Sequence, residues 1–187
     1  MKLLLITLTI LQSLLATLEQ KTLVSDFTMT YTQSPIANSQ PMTYKGNLVM
    51  HGRQFKLSMF SMEAAYDGKT LYMYSEDTEE LTLSIPTEEE LTQANPFLYA
   101  QALLPVCQYA EKSIGDKTQI TLTPNDQSNG VGKFVLRVVT ATLLPDVVEI
   151  HELGGNLTSL RLNSTRFIED IPTFTIEKAD VFVNDLR

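Results

Sequence analysis

Phe27-Thr28-Met29-Thr30-Tyr31-Thr32 sets apolar and hydroxylated side chains at alternate positions. A period of two places Phe27, Met29 and Tyr31 on one face of an extended strand and the three threonines on the other. Aromatic and β-branched residues suit a pleated, half-buried surface, so this stretch predicts a strand with one wet face. The same period recurs along most of the chain, and that recurrence decides the fold class.

Working outward, Ser34–Pro41 is rich in Pro, Asn and Ser and reads as a loop. Strands are predicted at Thr43–Met50 and Gln54–Phe60, joined by a turn at His51-Gly52. Asp67-Gly68 carries the residue types of a type I′ hairpin turn. It leads into Lys69–Ser75, where Leu71 and Met73 face one way and Tyr72 and Tyr74 the other, and Leu81, Leu83 and Ile85 mark the next strand. Further strands are predicted at Gln119–Thr123, Lys133–Val139, Val147–Leu153, Leu157–Thr165, Thr173–Glu177 and Val181–Asp185. About eleven twisted strands without βαβ alternation imply an antiparallel sheet that curls strongly or closes.

Helix signals interrupt this run once. Thr87 followed three residues later by Glu90 is a capping box, with Glu88, Glu89 and Glu90 suited to the first turn. Asn95-Pro96 ends that helix and caps a second one, predicted over Phe97–Lys112 with a kink at Pro105. At the N-terminus, residues 1–16 read as a secretory signal, one lysine before an apolar run too short to span a bilayer. Leu4, Leu8, Leu11, Leu15 and Leu18 also recur at helical spacing, so the same residues could begin an amphipathic helix of the domain. Residues 17–187 are expected to form a single domain.

The 187 residues carry 14 Lys and Arg against 22 Asp and Glu, a net charge of −8. That balance argues against nucleic acid as a partner. Cys107 is the one cysteine and reads as a small packed hydrophobe. His151-Glu152 opens like a zinc-protease motif, but Gly155 stands where the second histidine belongs, so no metal site is predicted. No nucleotide-binding glycine loop, nucleophile elbow or paired carboxylates in an apolar setting appear, so the chain reads as a non-catalytic binder without a cofactor.

The informative features are greasy. Met29, Met42, Met50, Met59, Met62 and Met73 gather in the first run of strands, and methionine adapts to ligands of variable shape. Phe134, Val135, Leu136, Val138 and Val139, with Val147, Val148 and Ile150, leave two strands apolar on both faces. Such a surplus either packs against the helices or lines a ligand site.

Read in order, Phe27-Thr-Met-Thr-Tyr-Thr, Gly46-Asn-Leu-Val-Met before Phe55, Asp67-Gly-Lys-Thr-Leu-Tyr-Met-Tyr, Asn95-Pro-Phe, Leu122-Thr-Pro, Thr173-Phe-Thr-Ile-Glu and Asn184-Asp-Leu-Arg resemble the LolA family of periplasmic outer-membrane lipoprotein carriers. The resemblance runs from about Leu11 to Arg187, and its most specific piece is the segment opening at Asp67. It implies an incomplete antiparallel β-barrel of about eleven strands with a lid of helices, and a periplasmic monomer. Its partners would be acylated lipoproteins, an ATP-driven exporter at the inner membrane and an acceptor at the outer membrane. The acyl chains would sit between sheet and helices, at Phe55, Leu57, Met59, Leu71, Met73, Phe97, Leu98, Leu103 and Leu104. Relatives carry an Arg-Pro pair ahead of the phenylalanine that matches Phe55, and that arginine is thought to latch the lid. Here the stretch is one residue shorter, and Arg53 stands in its place. A protein-binding or regulatory module on the same fold, taking no free lipid, is the alternative.

Overall fold

The computed structural model describes residues 9–34, 40–128 and 130–187. It contains α1 (Ile10–Leu18), β1 (Thr22–Thr32), β2 (Met42–His51), β3 (Gln54–Met59), β4 (Met62–Tyr66), β5 (Leu71–Ser75), β6 (Glu80–Ser84), α2 (Glu88–Ala94) and α3 (Pro96–Leu103). A single 3-10 turn at Leu104–Val106 leads into β7 (Cys107–Ile114), β8 (Lys117–Pro124), β9 (Val131–Val139), β10 (Pro145–Glu152), β11 (Leu157–Ile168) and β12 (Phe182–Asp185). All twelve strands belong to one sheet ordered β12-β6-β5-β4-β3-β2-β1-β11-β10-β9-β8-β7. Two antiparallel meanders, β1–β6 and β7–β11, are thus joined by the helices in sequence and by the β1–β11 pairing in space. The sheet curls without closing and keeps two edges, β12 and β7, the incomplete barrel that the resemblance implies.

Register explains which face is apolar. Leu23 pairs with Met50, Met50 with Phe55, Phe55 with Tyr66 and Tyr66 with Leu71, so one row of the concave face crosses five strands. All five are buried, and they form one cluster with Leu11, Leu14 and Leu18 of α1, Leu91 of α2 and Phe97, Leu98 and Leu103 of α3. On the convex side, Ala65, Leu81 and Ile176 make a small second cluster with Tyr72, Tyr74 and Leu83.

Several expectations are corrected. The second helix stops at Leu103, where Pro105 removes a backbone donor, and Cys107–Ile114 pairs along its length with β8 instead of continuing as helix. β4 carries Ala64 and Ala65, poor strand formers held by partners on both sides, which is why its sequence gives no strand signal. Thr173–Glu177 is no strand: Phe174 and Ile176 are buried as the chain crosses the convex face, where Lys56 donates to the Thr175 carbonyl at 3.5 Å. That crossing delivers β12 to the far edge beside β6 in parallel, so the last pairing is not antiparallel; with β4 and β7 gained and Thr173–Glu177 lost, the strands number twelve, close to the eleven expected. Strand β1 starts at Thr22, five residues before Phe27. Part of the loop read at Ser34–Pro41, residues 35–39, lies outside the described residues.

The Asp67-Gly68 turn also differs. Only Gly68 has a positive φ, at 102°, so this is a longer connection and not a type I′ turn. The Asp67 carboxylate organises it, accepting from the amides of Lys69 (2.8 Å) and Thr70 (2.7 Å) and from the Tyr72 hydroxyl (3.0 Å). Partial burial raises the pKa of this carboxyl, but the hydrogen bonds outweigh it and hold the group below its ordinary value. A depressed folded pKa means stabilisation present above the unfolded value and lost as pH falls through the folded one. The stability of Asp67→Asn should therefore fall less steeply than wild type between about pH 5 and about pH 2, read from urea midpoints across that range.

Candidate functional site

α1 begins with a capping box, Thr9 accepting from the Gln12 amide at 3.2 Å while Gln12 accepts from the Thr9 amide at 3.0 Å. Glu111 of β7 accepts from the Ile10 amide at 2.8 Å, and at the other end the Gly52 amide donates to the Leu18 carbonyl at 2.6 Å. Gly52 lies at φ 54°, a conformation that glycine adopts without strain. The helix is thereby tied from β7 to the β2–β3 turn, across the mouth of the barrel. Its buried stripe is Leu11, Leu14 and Leu18, with Leu15 half-buried, so the stripe expected from helical spacing is shifted toward Leu14. Leu4 and Leu8 lie outside the described residues, as does the first half of the expected signal segment.

Asn95 organises the other two helices. Its amide donates to Leu91 at the end of α2, and its side-chain oxygen accepts from Phe97 (2.9 Å) and Leu98 (3.4 Å) at the start of α3. It is completely buried. Asn95→Ala would strip this cap and leave buried amides unpaired, so we expect a loss of about 2 kcal/mol in urea unfolding. α3 then presents Phe97, Leu98 and Leu103 inward, and Tyr99 meets Phe134 edge to face at 5.9 Å between ring centres.

The nine residues expected to face an acyl chain come together in one cluster. Phe55, Leu71, Phe97, Leu98 and Leu103 are buried in it, while Leu57, Met59, Met73 and Leu104 are half-buried against it. The cluster is filled from within, because leucines of α1 and α3 occupy the hollow that the sequence led us to expect open. Two concavities lie nearby, the smaller beside the cluster and the larger on the opposite, convex face of the sheet. One of about 190 Å³ is walled by Arg53, Glu88, Thr92, Leu98, Gln101 and Ala102. The other, about 400 Å³, is bounded mainly by polar residues including Asp26, Lys45, Asn47 and Asn163.

Arg53 donates through one guanidinium nitrogen to both carboxylate oxygens of Glu88, at 2.8 and 2.7 Å. The pair ties the β2–β3 turn to the first turn of α2 across the rim. With the Arg53 side chain 44% exposed and that of Glu88 78% exposed, it contributes at most about 1 kcal/mol. Sequence reading missed Glu88 as a partner because an acidic first turn is explained by capping alone.

The second apolar face of β9 and β10 is not part of this site. Val135 lies opposite Glu149 and Val147 opposite Arg137, and the Arg137–Glu149 ion pair at 2.8 Å spans the two strands on that side. His151 shares Glu149 at 3.0 Å. The methionines divide: Met50 is buried, Met29, Met59 and Met73 are half-buried, and Met42 and Met62 are exposed. Among the described residues no helix is long and apolar enough to cross a membrane. No group of three or more His, Cys, Asp or Glu side chains among them converges as a metal site would.

No family model matches the chain, and neither does any curated protein. Solved structures do. An uncharacterized conserved protein from Thermus thermophilus shares the fold with a TM-score of 0.60 at 11% identity, over 94% of this chain and 96% of its own. A LolA superfamily protein from Nitrosomonas europaea matches at a TM-score of 0.43 and 13% identity, over 90% of this chain and 99% of its own. The MucA/MucB complex of Pseudomonas aeruginosa matches at a TM-score of 0.47 and 16% identity, over 87% of this chain and 57% of that chain. At these identities the likeness concerns the fold alone.

Proposed function

We propose that this chain is a non-catalytic periplasmic carrier that takes lipoprotein acyl chains from the inner to the outer membrane, receiving them from an ATP-driven exporter and passing them to an outer-membrane acceptor. The observation that supports this reading is the apolar cluster shared by the concave sheet and three helices, held at the rim by the exposed Arg53–Glu88 pair and by the hydrogen bonds at the two ends of α1. Such a lid is cheap to open at its edge and greasy beneath.

Energetics fit an exchange. Each buried leucine is worth roughly 1.5–3 kcal/mol, so exposing Leu11, Leu14 and Leu18 costs about 5–9 kcal/mol. A long acyl chain kept from water contributes roughly 0.8 kcal/mol per methylene, on the order of 10 kcal/mol in all. Cargo can therefore replace α1 in the hollow without so large a surplus that release is blocked.

The decisive measurement has two arms. Protein isolated from its native membranes or periplasm is tested for bound lipoprotein, and the purified chain is titrated with spin-labelled stearic acid. Copurified lipoprotein and a saturable apolar site support the carrier; absence of both ends it. A second reading, a module that binds protein only, draws on the filled hollow and on edge strand β12, where Phe182 and Val183 are exposed. An edge of that kind offers free backbone groups to a partner strand. In that case the titration shows no saturable site.

A further inference from the structure

Strand register gathers cations of this acidic chain into a line on its convex face. Lys45 of β2 stands opposite Thr28 of β1, Thr28 opposite Arg161 of β11, and Arg161 opposite Val147 of β10. The line continues from Val147 to Arg137 of β9, from Arg137 to Gln119 of β8, and from Gln119 to Lys112 on the β7 edge. One row thus crosses seven strands with a cation on every second strand and no carboxylate. Its six interstrand spacings give a length of about 29 Å, with about 10 Å between successive cations.

Lys45, Arg161 and Lys112 are exposed and have no ion-pair partner among the described residues. Lys133 and Arg166, exposed on the same face opposite His151 and Val24, are likewise unpaired there. Two carboxylates of this face, Asp146 and Glu149, are already taken by Lys117 and Arg137, each at 2.8 Å. The acidic first turn of α2, Glu88 to Glu90, lies with the helices on the other side of the sheet. At about 0.1 M salt the Debye length is about 10 Å, so carboxylates a layer away do little to cancel the row.

The face lacks what a protein or a base would hold. Val147 in the row and Val135 in the next one are 1% and 4% exposed, so neither stands out to anchor a protein partner. Hydroxyls of Thr30, Ser159 and Thr121 occupy that next row, and neither row contains an aromatic ring on which a base stacks. Cationic heads on long stems suit a soft, hydrated, anionic surface. Beside Lys45 the face is hollowed by the concavity of about 400 Å³ that Asp26, Asn47 and Asn163 also bound. A cation next to amides and a carboxylate matches a headgroup that carries hydroxyls as well as a phosphate.

We propose that this row is a docking face for a bilayer bearing anionic phospholipid headgroups of the phosphatidylglycerol kind, which holds the helix-covered mouth away from the membrane. The proposal concerns the face opposite the apolar cluster and stands or falls without the carrier reading.

The test floats the full chain with vesicles of phosphatidylcholine alone and of equal parts phosphatidylcholine and phosphatidylglycerol. Binding should require phosphatidylglycerol at about 0.1 M salt and vanish near 1 M, where the screening length is about 3 Å. Lys45→Gln and Arg161→Gln should each weaken it about fivefold, and the double variant about twentyfold or more. Lys69→Gln removes the same charge from the exposed β4–β5 connection and should stay within about twofold of wild type. Urea midpoints should not move, since neither row side chain has an ion-pair partner to lose. Equal binding to both kinds of vesicle, or none, overturns the proposal. So does a loss in Lys69→Gln as large as that in Arg161→Gln, which would reduce the effect to net charge. Binding that survives 1 M salt would belong to acyl chains instead of headgroups, refuting this face while leaving the carrier reading intact. A duplex oligonucleotide or polyglutamate that binds wild type, loses Arg161→Gln and outcompetes the vesicles would assign the row to nucleic acid or to an acidic protein, against the bilayer.

Discussion

Phe55→Ala should lower unfolding stability by about 3–5 kcal/mol, read as a fall in the urea midpoint with little change in slope. Phe55 is completely buried on β3, between Met50 of β2 and Tyr66 of β4, with its ring 6.2 Å from that of Tyr66. It belongs to the row on which the helices rest, so truncation opens a void lined by side chains of both layers. The loss combines the transfer energy of the ring with the void left behind, since neighbours relax only in part. A second outcome follows. A dry apolar void beside a lid is a small ligand site, so the variant should bind benzene-sized probes that the wild type ignores. A cost below about 1 kcal/mol would mean that sheet and helices are loosely joined, against the packing described.

Gly46→Ala should cost about 3 kcal/mol, the upper end for adding one methyl group to a filled interior. A Cβ at this position would stand 2.2 Å from the Ser58 carbonyl oxygen on the neighbouring strand and 2.4 Å from the Phe27 ring. Neither can step aside easily: the first is ladder backbone, and the second is itself buried beside Leu162. Glycine here is a matter of close approach, with the Phe27 ring occupying the space its missing side chain leaves. Adding Phe27→Leu should recover part of the loss and leave the part owed to Ser58, a coupling that a double-mutant cycle in urea reads directly. Equal, additive losses would show that the ring and the glycine do not share that space.

Much of this architecture was legible because the chain states it at period two. The alternation from Phe27 to Thr32, the two tyrosines opposite Leu71 and Met73, and the Asn95-Pro96 junction all stand as the sequence implies. What could not be read depends on neighbours far away. Cys107–Ile114 has the polar and apolar mixture of a helix end, and only its pairing with β8 makes it a strand. Met62–Tyr66 carries two alanines that signal nothing until β3 and β5 flank them. The apolar residues of the candidate site were visible one by one, but not that α1 would fill the hollow with Leu11, Leu14 and Leu18, since a helix stripe does not name the surface it seeks. Gly46 was read as part of a motif, while its physical duty appears only once Phe27 lies across it.

The seam where β1 meets β11 has a kinetic consequence. It joins Leu23 to Phe167 and Phe27 to Leu162, partners from nearly opposite ends of the described chain. Each meander is assembled largely from hairpins that close quickly, but bringing the two halves together requires a large loop to be gathered first. Folding should then proceed as two fast local events followed by a slow docking, during which both halves expose unpaired strand edges. In that interval the molecule is most open to aggregation, and the lifetime of the half-assembled state sets how much help the chain needs to mature.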